Sequence, residues 1–218
     1  MEGSWTGPGG GGYREYYLVQ MLMQDLSLES FLLFGTGNTP TFARLREEGV
    51  DVVGCDISQD VVDYKTAAFG NDVFFTPGSL PGDRKYDGII AVEVFEHFGE
   101  PRSSLDLLMS LLRPRGVICG TTNFYPGGRI EDENKPGYMS HGGHVAYWSL
   151  RSMTCLARNY RRAVASFEMV RPGSLLPDEK YGQLWPNKRV FFIYDAAAHR
   201  DYFERLLRTT PILPIDKP

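Results

Sequence analysis

The order of apolar runs and helical segments constrains the fold of this chain more than any other feature. Short apolar runs alternate with segments of helical periodicity from residue 31 to residue 120. Apolar runs without polar alternation are typical of strands that are buried on both faces of a parallel sheet. We predict such strands at residues 31–34, 50–55, 73–75, 86–92 and 117–120. The alternation therefore predicts an α/β fold with a doubly wound, mostly parallel sheet and helices on both faces.

The remaining segments complete this sheet. Residues 163–170 and 189–194 alternate between apolar and polar positions, so we predict a closing antiparallel hairpin and seven strands in all. Thr39, Ser58 and Ser149 are predicted N-caps, with Pro40 at the first position of its helix. Helices are predicted at residues 13–28, 40–49, 59–69, 103–112, 150–159 and 199–207.

The domain organisation is predicted to be simple. The 218 residues suit one compact domain, which we place at residues 13–218 after a flexible, glycine-rich N-terminus at residues 1–12. One long connection, around residues 123–143, is rich in glycine, proline and charged residues. Connections of this length inside a compact domain are commonly functional lids. We therefore predict a lid insertion there.

Charge and cysteine content exclude several classes of function. The net charge is −4 and no long run of lysine or arginine occurs, which argues against a nucleic-acid partner. No apolar stretch reaches the roughly 18 residues of a membrane span. The three cysteines form no CxxC pair, and the N-terminus has no apolar core of a signal peptide, so we expect a reduced, cytoplasmic location. The expected partner is a small-molecule substrate, and a homodimer is left open.

A glycine-rich turn and a spaced acid indicate a nucleotide-like ligand. Gly35 and Gly37 follow the first strand and allow the backbone to turn sharply beneath a ligand. Asp56 lies 21 residues after Gly35, at the end of the second strand, where a carboxylate can accept bonds from ribose hydroxyls. An ordinary tight turn and a helix cap are the structural alternatives. Pro40 stands where a dinucleotide fingerprint has a third glycine, which argues against NAD or FAD.

Four segments in this order resemble the class I S-adenosylmethionine-dependent methyltransferase family. They are FLLFGTG at residues 31–37, YDGIIAVEVFEH at 86–97, LLRPRGVI at 111–118 and HVAYWS at 144–149. The resemblance spans roughly residues 31–156 and implies a Rossmann-like fold, a small-molecule methyltransferase and S-adenosylmethionine as the cofactor. The implied cofactor contacts are Gly35, Gly37, Asp56, Ile57, Ser79, Leu80 and Glu93.

The histidines and aromatic residues supply candidates for chemistry. An oxygen or nitrogen acceptor can need a general base, and histidine is the usual choice. We predict His144 and His97 as catalytic candidates, with loop-fixing and structural roles as the alternatives; His199 is predicted at the surface. His141 and His144 have metal-ligand spacing, but no further ligand motif accompanies them, so we predict no metal site. The predicted substrate-binding residues are Tyr13, Tyr17, Arg129, His141 and Tyr147.

Three functional hypotheses follow. The first is S-adenosylmethionine-dependent O-, N- or C-methylation of a small molecule. The second is an NAD(P)-dependent oxidoreductase or epimerase, against which Pro40 argues. The third is a catalytically inactive methyltransferase-like binding module. Its support is that the family usually has an acid at the end of the first strand, where this chain has Phe34, and glycine at Thr39.

Overall fold

The computed structural model describes residues 11–37, 39–125, 142–168 and 188–209, so most of the predicted lid and the N-terminal residues 1–10 lie outside the described residues. Seven strands form one sheet: β1 (Ser30–Phe34), β2 (Asp51–Cys55), β3 (Phe74–Phe75), β4 (Tyr86–Val92), β5 (Leu112–Asn123), β6 (Ala163–Glu168) and β7 (Lys188–Tyr194). The α-helices of the described ranges are α1 (Gly11–Leu26), α2 (Thr41–Glu47), α3 (Gln59–Phe69), α4 (Pro101–Leu111), α5 (Leu150–Arg158) and α6 (Ala196–Thr209).

The strand order confirms the predicted doubly wound sheet. The order is β3-β2-β1-β4-β5-β7-β6. The first five strands along the chain pair in parallel, whereas β7 pairs antiparallel with both β5 and β6. The direction of winding reverses between β1 and β4. In open α/β sheets, ligands bind outside the carboxyl ends of the strands at such a point.

Strand β1 lies inside the sheet, between β2 and β4, and all five of its residues are buried. Leu32 and Phe34 belong to the core layer that includes α4 and α5. Phe31 and Leu33 belong to the layer that includes α1, α2, α3 and α6. Since successive side chains of a strand point to opposite faces, an unbroken apolar run fits a position between two layers of helices.

The predicted start of the second helix is wrong by one residue. Pro40 is the N-cap residue of α2, and the helix begins at Thr41. Thr39 therefore lies before the N-cap position, and its hydroxyl donates to Glu15 Oε2 at 3.0 Å. Ser149, by contrast, is confirmed as an N-cap, since its side chain accepts the backbone N–H of Ser152.

Strand β5 is longer than predicted. Its register with β4 shifts between Tyr86 and Gly88, so the segment around Pro114 that reads as a turn becomes an irregularity within the strand. Beyond this point β5 pairs with β7 from Val117 to Asn123. The pairing of Leu112 with Tyr86 ahead of Pro114 extends the strand across the local turn signal.

The predicted surface position of His199 is also wrong. Helix α6 packs on the sheet, and His199 is only 7% exposed. Its Nε2 lies 2.7 Å from the backbone oxygen of Arg115. The histidine therefore ties α6 to the beginning of β5. Among the described residues, no helix is long and apolar enough to cross a membrane.

Candidate functional site

The turn after β1 requires glycine at its first position. Gly35 has a φ of +74°, and its N–H donates to the oxygen of Cys55 at 2.8 Å. A β-carbon on Gly35 would lie 2.5 Å from Cγ2 of Val94. The left-handed backbone and the close approach of Val94 both exclude larger residues. The turn is therefore held against β2 and the residue that follows β4.

Gly37 and Asp56 form the floor and one wall of a crevice at the ends of β1 and β2. Gly37 has a φ of +56°, and its N–H donates to Asp56 Oδ2 at 2.7 Å. The other oxygen, Oδ1, accepts the N–H of Ser58 at 2.9 Å. A β-carbon on Gly37 would meet no atom of the described residues within 4 Å. Among the described residues, the space above the turn is therefore open, with an oriented carboxylate beside it.

Glu93 lies directly after β4 in a left-handed conformation. Its φ is +56°, which is uncommon for a residue with a β-carbon and is concentrated at functional sites. Its N–H donates to the oxygen of Thr121 at 2.9 Å, and the hydroxyl of Thr121 donates to Glu93 Oε1. Arg14 Nη1 of α1 lies 3.7 Å from the same oxygen. Neighbouring strand β5 and helix α1 thus fix this carboxylate at the crevice.

Two buried ionisable side chains lie beneath the turn, and sequence reasoning missed both. Glu15 of α1 is 2% exposed and Lys65 of α3 is 4% exposed. Glu15 accepts the hydroxyl of Thr39, and Lys65 Nζ donates to the backbone oxygen of Thr39 at 2.9 Å. Burial raises the pKa of Glu15 to about 8, against the opposing effects of hydrogen bonds from Thr39 and Thr41 and of the Lys65 charge. Burial also lowers the pKa of Lys65.

A sequence signal for these charges exists. Glu15 precedes Leu18, Val19 and Leu22 at spacings of three, four and seven residues, so it lies on the apolar stripe of α1. Lys65 follows Val62 by three residues and lies on the buried side of α3. A charged residue on an apolar stripe indicates a buried polar contact.

The segment that follows the predicted lid lies against the residues after β4. The N–H groups of Val145 and Ala146 both donate to the backbone oxygen of Glu96 at 2.9 Å. The indole Nε1 of Trp148 donates to the oxygen of Phe95 at 2.8 Å. These bonds place residues 142–148 at the carboxyl end of β4.

The structure brings the two predicted catalytic histidines together. Their rings meet edge to face with centroids 4.9 Å apart. His97 Nδ1 lies 2.8 Å from the backbone oxygen of Gly143. Because that oxygen can only accept, Nδ1 carries the proton in this bond, and a neutral ring presents Nε2 as an acceptor. His97 is exposed and His144 is half-buried, so both can be reached from solvent.

A family model described as a methyltransferase domain matches residues 16–160. This chain belongs to the methyltransferase domain family. The predicted class I S-adenosylmethionine-dependent family, enzyme class and cofactor are confirmed. The match decides against the NAD(P)-dependent alternative. No curated protein matches the sequence of the methyltransferase.

Solved structures share the fold of the methyltransferase. One is a Burkholderia thailandensis 1,6-didemethyltoxoflavin-N1-methyltransferase with that compound and S-adenosylhomocysteine, at a TM-score of 0.56 and 17% identity over 84% of this chain and 77% of that one. Another is an S-adenosylmethionine-dependent methyltransferase from Archaeoglobus fulgidus. Its TM-score is 0.57, and the identity is 16% over 85% of this chain and 95% of that one. A third is the plantazolicin methyltransferase BpumL with a triazolic desmethylPZN analogue and SAH. Its TM-score is 0.57, and the identity is 14% over 86% of each chain. At these identities the likeness shows the fold.

The residues of the crevice fit the cofactor. A carboxylate offers about four acceptor positions, so the two N–H bonds to Asp56 leave it able to accept ribose hydroxyls. Ile57 follows Asp56 and is 88% exposed, which offers an apolar surface beside the crevice. Glu93 and Arg14 provide opposite charges at the end of β4, where the zwitterionic methionyl group would meet them. Gly35, Gly37, Asp56, Ile57 and Glu93 thus lie at the strand ends, and their contact with the cofactor stays a prediction.

The other two predicted cofactor contacts of the methyltransferase, Ser79 and Leu80, make contacts within the protein. The hydroxyl of Ser79 lies 2.9 Å from the hydroxyl of Thr76 and accepts the backbone N–H of Thr76 at 3.0 Å. Ser79 therefore stabilises a local turn. Leu80 is half-buried and packs against the core. Their contact with the cofactor stays a prediction.

The predicted substrate-binding residues are only partly described. Tyr17 is exposed and meets the ring of Tyr16 edge to face at 5.8 Å. Tyr147 is exposed on the segment after the lid. The side chain of Tyr13, together with Arg129 and His141, lies outside the described residues. Across the described ranges, no three His, Cys, Asp or Glu side chains come together as metal ligands would.

Proposed function

We propose that this methyltransferase transfers the methyl group of S-adenosylmethionine to a small-molecule acceptor. The observation that carries the proposal is the position of Asp56 against the N–H of Gly37, at 2.7 Å and beside open space. This arrangement offers a fixed acceptor for a sugar and room above the turn for its ring. Asp56, Gly35, Gly37 and Ile57 would hold the adenosyl part of the cofactor.

The cofactor supplies a methyl group that its sulfonium already activates. In-line transfer then depends mainly on holding donor and acceptor in the correct orientation. Glu93 is suited to orient the methionyl group because Thr121 and Arg14 fix its carboxylate. A carboxylate accepts bonds from an ammonium group, and the neighbouring guanidinium can donate to a carboxylate.

His97 is the better placed of the two predicted catalytic histidines for removing a proton from the acceptor. The Gly143 oxygen fixes its ring and directs the proton to Nδ1, which leaves Nε2 as the acceptor. His144 packs against the ring of His97 and would support its orientation. A general base in this position serves an oxygen or nitrogen nucleophile.

A small acceptor agrees with the charge and the aromatic residues of the chain. The net charge of −4 disfavours nucleic acid, whose recognition depends on basic surfaces. Exposed Tyr17 and Tyr147 are suited to contact a partly apolar molecule. A solved structure of the same fold holds a small methyl acceptor, 1,6-didemethyltoxoflavin, with S-adenosylhomocysteine.

Titration calorimetry with S-adenosylmethionine and S-adenosylhomocysteine tests the cofactor site. We expect saturable binding by the natural chain and a loss of about tenfold or more in affinity for Asp56→Asn, because the amide accepts at only one of its two ends. Asp60→Asn is the matched control, since Asp60 is exposed four residues further along. Equal binding by both variants would show that Asp56 does not hold the ligand.

A second assay tests the class of acceptor. Formation of S-adenosylhomocysteine would be followed with size-fractionated cell extract, and separately with protein and RNA fractions. We expect turnover with the small-molecule fraction, and slower turnover by Asp56→Asn at cofactor concentrations that do not saturate this variant. Turnover confined to protein or RNA fractions would contradict the proposed acceptor.

A further inference from the structure

Two ionisable side chains, one acidic and one basic, are buried beneath the cofactor turn, and both contact one residue. Glu15 comes from α1 and Lys65 from α3, and each is almost inaccessible to solvent. Burying a charge is costly unless it is paired and hydrogen-bonded. Both charges find partners at Thr39, whose hydroxyl donates to Glu15 and whose backbone oxygen accepts from Lys65.

Thr39 connects this buried pair to the cofactor turn. It lies two residues after Gly37, whose N–H contacts Asp56. The hydroxyls of Thr36 and Thr39 are 3.3 Å apart, so the turn is bonded within itself as well. A shift of Thr39 would displace Gly37 and with it the bond to Asp56.

We propose that Glu15 is a positioning residue of the cofactor site, which holds the glycine turn from below through Thr39. This inference rests on the proposed cofactor site at Gly37 and Asp56. Lys65 acts with Glu15, because it fixes the backbone of Thr39 while Glu15 fixes its side chain. Neither charge needs to touch the cofactor.

The strength of this support depends on the ionisation of Glu15. A carboxylate accepts a stronger hydrogen bond than a carboxylic acid does. The charges that face Glu15 are Lys65 of α3, which favours the carboxylate, and Asp56 at the end of β2, which opposes it; the Thr39 and Thr41 hydroxyls also favour the carboxylate. Since burial outweighs these effects and raises the pKa of Glu15 to about 8, the stronger support develops as the pH rises through that value.

Cofactor affinity at two pH values tests the inference. Affinities for S-adenosylmethionine would be measured by calorimetry for the natural chain and for Glu15→Gln, whose side chain imitates the neutral acid. At pH 9 we expect Glu15→Gln to bind about tenfold more weakly. At pH 6.5, where Glu15 is itself neutral, we expect the two affinities to agree within about twofold. Comparing the two proteins at one pH cancels the titration of the ligand.

Two further variants complete the test. Glu47→Gln carries the same change on the exposed surface of α2 and should bind like the natural chain at both pH values. Thr39→Val removes the hydroxyl at nearly constant volume and keeps the backbone oxygen, so it should reproduce the loss at pH 9 even if Glu15→Gln folds poorly.

The outcomes separate the inference from the proposed function. Unchanged affinity in both Glu15→Gln and Thr39→Val, or a loss of equal size at pH 6.5 and 9, would overturn the positioning role. A natural chain that does not bind S-adenosylmethionine at all would overturn the proposed cofactor site, and the inference with it.

Discussion

Val94 occupies the space in which Gly35 would carry a side chain. The distance from Val94 Cγ2 to a β-carbon at Gly35 would be 2.5 Å. This approach joins the turn after β1 to the residues after β4, on the two sides of the point where the winding reverses. The cofactor turn and Glu93 are therefore parts of one packed unit.

Gly35→Ala should lower the free energy of unfolding by about 3 kcal/mol, because it combines a clash with a left-handed backbone. Gly49→Ala is the control: φ is +78° there as well, but a β-carbon would meet nothing within 4 Å in the part of the chain that the structure describes. We expect Gly49→Ala to cost about 1 kcal/mol. Urea unfolding measures the free energy of unfolding of both variants. Equal losses of stability would contradict the argument that Val94 excludes a side chain at Gly35.

Trp148→Phe should destabilise the protein by about 1–3 kcal/mol, because the buried oxygen of Phe95 loses its indole donor. Phe95 also packs against the ring of Trp148, with centroids 5.6 Å apart. Tyr147→Phe, on the exposed neighbour, should change stability by less than about 0.5 kcal/mol. Thermal unfolding distinguishes the two variants, and similar values for both would argue against the indole bond.

Glu15 should make stability fall as the pH rises. Its pKa is about 8 in the folded protein and 4.5 as the ordinary value, so the folded form holds a proton that the unfolded chain releases between these values. Its stabilising contribution is complete below pH 4.5 and is lost as the pH rises through 8. We expect the advantage of the natural chain over Glu15→Gln to fall by about 3 kcal/mol between pH 5.5 and 8.5.

Urea unfolding of both proteins without cofactor, at several pH values, measures this difference. Glu47→Gln should follow the natural chain, because Glu47 is exposed. A difference that is constant with pH would mean that Glu15 has the same pKa in the folded and unfolded states.

His97→Gln should slow methyl transfer by about a hundredfold or more if the acceptor must lose a proton, because glutamine cannot act as a base. Binding of S-adenosylmethionine should stay close to that of the natural chain. Single-turnover rates with the acceptor found in the size-fractionated extract measure the effect. His144→Gln is the comparison, and a large loss in that variant alone would assign the base to His144.

The elements of this fold could be predicted from sequence because their signals are local. The apolar runs at Phe31–Phe34 and Tyr86–Val92 are strands in the structure, and the C-terminal segments form the predicted hairpin. The spacing from Gly35 to Asp56 likewise identified a glycine turn and a carboxylate that meet in the structure, where the N–H of Gly37 lies 2.7 Å from Asp56 Oδ2. Parallel strands align their carboxyl ends, so sequence spacing translates into proximity at one edge.

Contacts between distant elements explain the positions at which the local sequence patterns gave a wrong prediction. Pro114 reads as a turn, yet it lies within β5 because β4 pairs with this strand both before it, at Leu112, and after it, from Val117. His199 reads as a surface residue, yet α6 buries it against Arg115. Thr39 reads as a helix cap, yet its hydroxyl donates to α1.

Local patterns in the chain therefore predicted the strands, the helices and the family to which the chain belongs. The contact of Glu15 and Lys65 with Thr39 beneath the cofactor turn became visible only in the folded protein. Periodicity can show that a charge lies on an apolar stripe, because that depends on neighbours along one helix. Periodicity cannot predict which residue the buried side chain contacts, because that residue belongs to a segment distant in sequence and is brought near only by folding.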